Sequence, residues 1–268
     1  MPSGNSRGTQ FRCHQAAFLN DWSDPTMSDS TSSGQLNHPA RVLDEGVRSL
    51  HRPLGAAKTL FLASVIVFPI AAVIGLAPTE ATMGHSQRVL YVHVSVAWLA
   101  LVGFIVVAAT GLLYLLRRDL WWDRWAQAAA ELGWLCACLT LTTGSLWAHS
   151  AWGTWWTWDP RLITSFILWA LYGGYLVSRR NLDDAHCRAR VAAVLAIVGV
   201  LDVPLVIMAT RWFRAIHPVS PTMEPSMRLV LLLTVAGFTA FTTLLVVCRR
   251  NQLHLENLLG ELERATDP

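Results

Sequence analysis

Six long apolar runs divide this 268-residue chain, and they restrict its fold more than any other feature. The hydrocarbon core of a bilayer is about 30 Å thick, so a spanning helix needs roughly 20 apolar residues. Helices are expected because an open sheet would leave backbone groups unpaired in lipid. Only 15% of the residues are charged, which is low for a soluble domain. The runs cover residues 59–77, 89–116, 126–147, 162–178, 191–209 and 229–248.

The short connections between the runs predict an all-α integral membrane bundle of six transmembrane helices, with no separate soluble domain. This membrane domain is expected to extend over residues 58–250. Residues 1–57 are polar and lack the apolar core of a secretory signal, so we predict a disordered cytoplasmic tail there. Residues 251–268 are predicted to form a second, short cytoplasmic tail.

The distribution of basic residues predicts the orientation, because cytoplasmic segments of membrane proteins carry an excess of Lys and Arg. Placing the N-terminus inside puts fourteen basic side chains on the inner side and five on the outer side. Both termini are therefore predicted to be cytoplasmic, with the loops after the first, third and fifth runs facing outward. The inner residues lie within 41–58, 117–124, 179–190 and 249–264, and the outer ones are Arg88, Arg161, Arg211, Arg214 and Arg228.

A tryptophan-rich segment, WAHSAWGTWWTWDPR at residues 147–161, lies in the second predicted outer loop. Trp favours the membrane interface, so an aromatic belt or a packing cluster is one interpretation. Five indoles within twelve residues exceed what a belt needs. On a helix, Trp152, Trp155 and Trp156 would share one side and form a flat apolar platform for a planar aromatic ligand. The residues alone leave both interpretations open.

Two histidines lie on the same predicted side as this segment. His93 is about one turn inside the outer end of the second run, and His217 lies in the loop between the fifth and sixth runs. A lone His in an apolar helix is more often a hydrogen-bonded structural residue. Two of them beside a tryptophan platform fit haem, whose iron takes axial ligands above and below the ring. Arg88 and Arg161 could pair with the haem propionates or simply contact lipid headgroups.

The segment WGTWWTWDPRL at residues 152–162 resembles the tryptophan-rich WWD motif of haem-handling proteins. RVLYVHV at residues 88–94, LDVP at residues 201–204 and the later His217 narrow the resemblance to the haem exporter protein C (CcmC) family of cytochrome c maturation. The resemblance extends from about residue 53 to residue 251. Cytochrome c synthetases and haem lyase subunits share the WWD motif, but the six-helix size and the flanking histidines are typical of the exporter branch.

The resemblance implies one haem site built from histidines, the WWD motif and arginines. His93 and His217 match the outward histidines that serve as axial ligands of haem b or as essential haem contacts. The WWD residues hold the face and edge of the haem, and two arginines assist in haem handling. These further residues are Trp152, Trp155, Trp156, Trp158, Asp159, Arg88 and Arg161.

The resemblance also implies the setting in which the chain works. It predicts a multi-pass protein of the bacterial inner (cytoplasmic) membrane whose haem site faces the periplasm. Its partners would be a periplasmic haem chaperone, the ATPase and membrane subunits of an ABC transporter, a small single-span protein and membrane lipid, with no nucleic acid. The chain itself is expected not to be an enzyme. It contains no G-x-x-x-x-G-K-[ST] motif, so ATP hydrolysis is expected from the partner.

Two other functions remain as alternatives. A cytochrome c haem lyase would join haem vinyl groups to the thiols of an apocytochrome, but this chain has no large domain to dock one. A solute or ion transporter is the less favoured alternative, and Asp202 within the fifth run is its best feature because intramembrane acids are often functional. A single acid without a charged partner, in a chain without visible internal repeats, supports that function weakly.

Overall fold

The five apolar runs from residue 89 onward lie in α-helices in the computed structural model, which describes residues 64–65, 67–81, 83–213, 217 and 223–266. A short apolar helix, α1, comes first, and a 3₁₀ turn at His85–Gln87 leads into α2. The bounds are α1 Val67–Leu76, with its last five residues π-helical, α2 Arg88–Arg117, α3 Leu120–Trp152, α4 Pro160–Arg180, α5 Ala185–Val200, α6 Asp202–Trp212 and α7 Pro225–Thr266.

Four helical segments are long and apolar enough to cross a membrane. The span predicted at residues 126–147 lies within α3, which has 33 residues but is more polar than these four. The all-helical membrane bundle predicted from the sequence is confirmed, while the location of the termini stays a prediction. The four segments are His85–Arg117, Pro160–Arg180, Ala185–Trp212 and Pro225–Arg264.

Two helices are longer than their apolar runs. α3 begins at Leu120, where Asp119 caps it by accepting a hydrogen bond from the backbone N–H of Trp121 at 2.8 Å. α7 continues to Thr266, so the residues predicted as a short C-terminal tail are largely helical. The predicted domain boundary at residue 250 therefore coincides with no helix end. Residues 1–57 lie outside the described residues, and their predicted disorder stays a prediction.

The fifth run is divided into α5 and α6 at Leu201. Pro204 cannot donate a backbone hydrogen bond to the preceding turn, and its ring crowds that turn, so the helix is interrupted there. Asp202 begins α6 and is buried, and its Oδ2 has no hydrogen-bond partner among the described residues.

Small residues let the helices approach closely. A Cβ added to Gly103 of α2 would lie 3.2 Å from the Cα of Gly133 in α3, and one added to Gly111 would lie 3.2 Å from the Cα of Ala193 in α5. α2 is therefore packed tightly between α3 and α5. This close packing fixes the register of α2 against α3, on which the site described below depends.

The two ends of the bundle differ in character. α2 and α4 begin, and α3 ends, at the end that carries the tryptophan-rich loop. At the opposite end, Arg179 of α4 forms a buried two-pronged ion pair with Asp123 of α3, both N–O distances being 2.7 Å. Gln127 accepts a further hydrogen bond from Arg179 at 2.9 Å. This network joins α3 to α4 far from the tryptophan loop.

Candidate ligand-binding site

The tryptophan-rich loop is a short non-helical connection between α3 and α4. Gly153 ends α3 with a φ of +70°, a left-handed conformation that favours glycine, and its N–H donates to the carbonyl of His149 at 3.0 Å. Asp159 begins α4 by accepting a hydrogen bond from the N–H of Leu162 at 3.0 Å, with Pro160 in the first helical position. The prediction that Trp152, Trp155 and Trp156 share one helical turn is therefore wrong.

Two threonines hold the loop in a folded conformation. The hydroxyl of Thr154 donates to the carbonyl of Trp156 at 3.2 Å. The hydroxyl of Thr157 donates to Oδ2 of Asp159 at 3.1 Å, so the carboxylate serves both the loop and the helix start. These bonds fold the loop back on itself, and its indoles therefore gather without a helix.

A cavity opens between α2, α3, α4 and this loop, with an empty volume of about 1010 Å³ that includes its mouth. Most of the residues that the sequence singles out line it, and they come from different elements. His93 is contributed by α2, Arg161 by α4, and His217 by the connection between α6 and α7. The predicted site residues in the wall are His93, Trp152, Trp155, Trp156, Asp159, Arg161 and His217.

His93 is half-buried and is held from two sides by α3. Its Nδ1 lies 3.2 Å from the hydroxyl oxygen of Thr143, and that hydroxyl donates its own proton to the carbonyl of Leu139 at 2.6 Å. The Thr143 oxygen therefore accepts from His93, which places the imidazole proton on Nδ1. The backbone of Thr140 also lies against this ring. Nε2 is then left with the lone pair that a metal requires.

Aromatic contacts order the side chains around the cavity. Trp147 and Trp152 meet edge to face with centroids 5.0 Å apart, and the ring of His217 lies 6.4 Å from that of Trp152. His149 stacks on Trp155 with centroids 4.0 Å apart and an interplanar angle of 6°. Each indole in this group is thus oriented by a second ring.

Two indole N–H groups in the cavity wall lack hydrogen-bond partners. The Nε1 atoms of Trp147 and Trp156 are buried, and neither has an acceptor within the part of the chain that the structure describes. An unpaired buried donor is unfavourable, so such groups call for an explanation. Both donors are suited to a ligand that brings oxygen acceptors into the cavity.

Two predicted site residues lie outside the cavity wall. Trp158 is 72% exposed and contacts Trp156 edge to face at 5.6 Å, on a shallow apolar hollow that Phe166 also lines. Arg88 is the first residue of α2 and is half-buried, with an Nε that has no partner among the described residues. Their contribution to ligand binding stays a prediction.

Sequence reasoning missed several side chains that shape this site. Thr143 and Gly144 support His93, and His149 supports Trp155. In the sequence, Thr143 lies fifty residues after His93 and Gly144 follows directly, so only the register of α2 against α3 brings them to the imidazole. His149 was detectable in principle, because it stands in the same tryptophan-rich segment.

Comparisons with known proteins agree on one family. The family model described as "Heme exporter protein C" matches residues 46–263. The chain is 33% identical over 226 residues to the heme exporter protein C of Bradyrhizobium diazoefficiens, covering 81% of this chain and 84% of that protein. It is 31% identical over 205 residues to the protein of the same name from Escherichia coli K12, covering 73% of this chain and 82% of that protein.

A plant relative is also similar. A putative cytochrome c biosynthesis ccmC-like mitochondrial protein of Arabidopsis thaliana is 30% identical over 205 residues, which covers 74% of this chain and 77% of that protein. The family-model match, residues 46–263, extends over the helices that build the cavity. Because the family model covers most of its length and relatives above 30% identity match along it, this chain belongs to the heme exporter protein C family.

Proposed function

We propose that this chain binds haem in the cavity and delivers it to a periplasmic haem chaperone during the maturation of c-type cytochromes. The observation that carries the proposal is that His93, His217 and the indoles of Trp152, Trp155 and Trp156 line one cavity. The names of the relatives refer to heme export and to cytochrome c biosynthesis, which supports haem as the cargo.

The donors around the cavity suit an iron porphyrin better than a bare metal ion. The described residues contain no group of three or more His, Cys, Asp or Glu side chains that could hold a metal. A porphyrin brings its own four nitrogen ligands. His93 and His217 would then complete the coordination of the iron in haem b as axial ligands. The flat indoles of Trp152, Trp155 and Trp156 would cover apolar ring surface.

The polar groups of the cavity suit the carboxylates of haem. Arg161 is half-buried and forms no ion pair with any carboxylate that the structure describes. Its guanidinium can bind a propionate in two-pronged fashion. The unpaired N–H groups of Trp147 and Trp156 supply further donors to oxygen atoms.

The two histidines differ in a way that suits delivery. His93 is fixed within α2 by Thr143 and α3, whereas His217 stands in the connection between α6 and α7. A side chain in a connection can leave the iron without displacing a helix. We infer that loss of the His217 ligand precedes transfer, while His93 keeps the haem in place. Trp152 and Trp155 are partly exposed at the cavity, and the chaperone would reach the vinyl groups of the haem from this exposed side.

The rest of the proposed setting follows the family. The chain would lie in the bacterial inner membrane with the cavity on the periplasmic side, both termini being cytoplasmic. An ABC transporter, with its ATPase and membrane subunits, and a small single-span protein would be its partners. In this scheme the chain collects and presents haem without catalysing a covalent change.

Absorption spectroscopy of the purified full-length protein tests the proposal. The wild-type protein should show a Soret band with haem, and H93A and H217A should each shift that spectrum and reduce haem transfer to the chaperone. His85→Ala is the matched control, because His85 is exposed at the same end of the bundle but lies outside the cavity wall. Wild-type spectra in both cavity variants would refute axial ligation by these residues.

Trapping of the covalent product separates the competing functions. Haem delivery predicts a covalent complex of haem with the chaperone, whereas a haem lyase would yield haem attached to an apocytochrome. A Soret band that is absent in both redox states of the protein would instead favour a solute transporter.

A further inference from the structure

A cluster of arginine and tryptophan side chains lies at the end of the bundle opposite the cavity. The guanidinium of Arg250 in α7 lies 5.3 Å from the ring centre of Trp121 and 5.6 Å from that of Trp125, both in the first turns of α3. Arg124 and His254 lie close by, and the charge of Arg250 acts on both. We refer to Trp121, Arg124, Trp125, Arg250 and His254 as the Arg–Trp cluster.

The positive charges of the Arg–Trp cluster have little compensation. Among the described residues, neither Arg124 nor Arg250 forms an ion pair with a carboxylate. Instead, the two guanidinium groups repel each other. Arg250 donates from Nη1 only to the neutral side chain of Asn251 at 3.0 Å. Two like charges held together in this way favour a bound anion.

Three nearby acidic residues act on Arg124, but none of them forms an ion pair with it in the part of the chain that the structure describes. Asp119 caps α3 through the N–H of Trp121, and Asp123 is paired with Arg179 at 2.7 Å. Glu261 acts on Arg124 and His254 but is exposed and makes no described ion pair with Arg124. The guanidinium groups of Arg124 and Arg250 therefore lie near carboxylates without being paired to any of those described.

Three buried donors of the Arg–Trp cluster have no hydrogen-bond partner. They are Nε of Arg124, Nε of Arg250 and Nε1 of Trp125, and no acceptor meets them among the described residues. Buried donors are normally paired. Three unpaired donors from two helices in one basic cluster point to an acceptor that carries several oxygen atoms and a negative charge.

We propose that the Arg–Trp cluster binds the phosphate headgroup of an anionic phospholipid. A phosphodiester provides oxygen acceptors and a negative charge that can pair directly with the arginines, and basic pockets between transmembrane helices are suited to such headgroups. The cluster lies where the apolar runs end at residues 126 and 248, which is the level of a lipid headgroup. Val247, one turn before Arg250, is partly exposed and offers apolar surface to an acyl chain.

An acidic segment of a partner protein is the main competing occupant. It would bring carboxylates to the same cluster, but it would have to approach at the level where acyl chains meet the headgroups. The buried position of the donors and the adjoining apolar surface favour the lipid. The proposal does not depend on haem binding, because the cluster and the cavity lie at opposite ends of α3, about 30 Å apart along the helix.

Native mass spectrometry of the full-length protein in detergent tests the proposal. The protein is offered equimolar phosphatidylglycerol and phosphatidylcholine with identical acyl chains. The wild-type protein should retain the anionic lipid preferentially. In the double variant Arg124→Gln/Arg250→Gln, the preference for the anionic lipid should be roughly tenfold smaller, as expected for the loss of a charge-assisted hydrogen bond. Arg180→Gln/Arg190→Gln is the control, because both arginines are exposed at the same end and the charge change is equal.

A second pair of variants keeps the test valid if the double variant folds poorly. Trp125→Phe retains the ring under Arg250 but removes the unpaired N–H, so the preference for the anionic lipid should fall severalfold. Trp122→Phe, at the same helix end, should leave the preference unchanged because its indole N–H is not among the unpaired buried donors. Circular dichroism verifies helix content in each variant.

Three outcomes would overturn the proposal. Equal retention of the two lipids by the wild-type protein would exclude a specific site for the anionic headgroup. An equal loss of preference in the Arg180→Gln/Arg190→Gln control would attribute binding to net charge alone. Displacement of the anionic lipid by an acidic peptide at equal concentration would assign the cluster to a protein partner instead.

Discussion

His93 and Gly144 face each other where α2 packs against α3, and a Cβ at residue 144 would lie 2.9 Å from Cε1 of the imidazole. Real Cβ atoms essentially never approach another heavy atom so closely, so a larger residue at this position must displace the ring or separate the helices. Glycine at residue 144 therefore makes room for the proposed axial ligand.

Gly144→Ala is expected to move the His93 ring and alter the haem spectrum. The added methyl group should also destabilise the fold by about 1–3 kcal/mol through overpacking. Absorption spectra and thermal unfolding in detergent measure the two effects. Gly174→Ala is the control, since a Cβ there meets nothing within 4 Å. An unchanged spectrum in Gly144→Ala would mean that the position of His93 does not govern haem binding.

Thr143→Val is expected to weaken haem binding by about tenfold. Removing a group that orients a metal-ligating His typically lowers affinity by about 10- to 100-fold, and we expect the lower end of that range here. Valine keeps the shape but cannot accept the hydrogen bond from Nδ1 at 3.2 Å. Haem titration measures the affinity. Thr142→Val should have no effect, because Thr142 bonds only to backbone carbonyls of its own helix.

The helices could be predicted where an apolar run and a helix coincide. The runs at residues 89–116 and 162–178 end within two residues of α2 Arg88–Arg117 and α4 Pro160–Arg180. α3 and α7 extend beyond their runs because a helix continues past the hydrocarbon wherever caps and polar contacts support it. Hydrophobicity alone therefore predicts the part of a helix that crosses the lipid, but it predicts the ends of the helix less well.

The candidate site could be predicted in its residue types but not in its geometry. His93, His217 and the WWD indoles were identified because their chemistry is rare on one side of an apolar bundle. The loop conformation was missed, since Gly153 in a left-handed conformation ends the helix before Trp155. The support from Thr143 and Gly144 requires the register between two helices, which a single sequence does not contain.

His149→Ala is expected to slow haem transfer to the chaperone several-fold and to leave axial ligation intact. The substitution removes the ring stacked on Trp155 at 4.0 Å, and aromatic pairs contribute about 0.5–1.5 kcal/mol beyond burial. His149→Phe should restore transfer, because a phenyl ring can stack in the same position. Transfer kinetics together with the Soret spectrum provide the measurement. A spectral change in His149→Ala, or no rescue by Phe, would contradict a positioning role.

Asp123→Asn is expected to destabilise the bundle by about 3–5 kcal/mol, because it leaves the Arg179 guanidinium buried without its counter-charge. The double variant Asp123→Leu/Arg179→Met should be milder, since it removes both charges and their desolvation together. Thermal unfolding followed by circular dichroism measures the difference, and Arg180→Met on the exposed side of α4 is the control. The haem spectrum of folded Asp123→Asn should match that of the wild-type protein, because the pair lies at the opposite end of the bundle from the cavity. A double variant as unstable as the single one would show that packing, and not the unpaired charge, accounts for the loss.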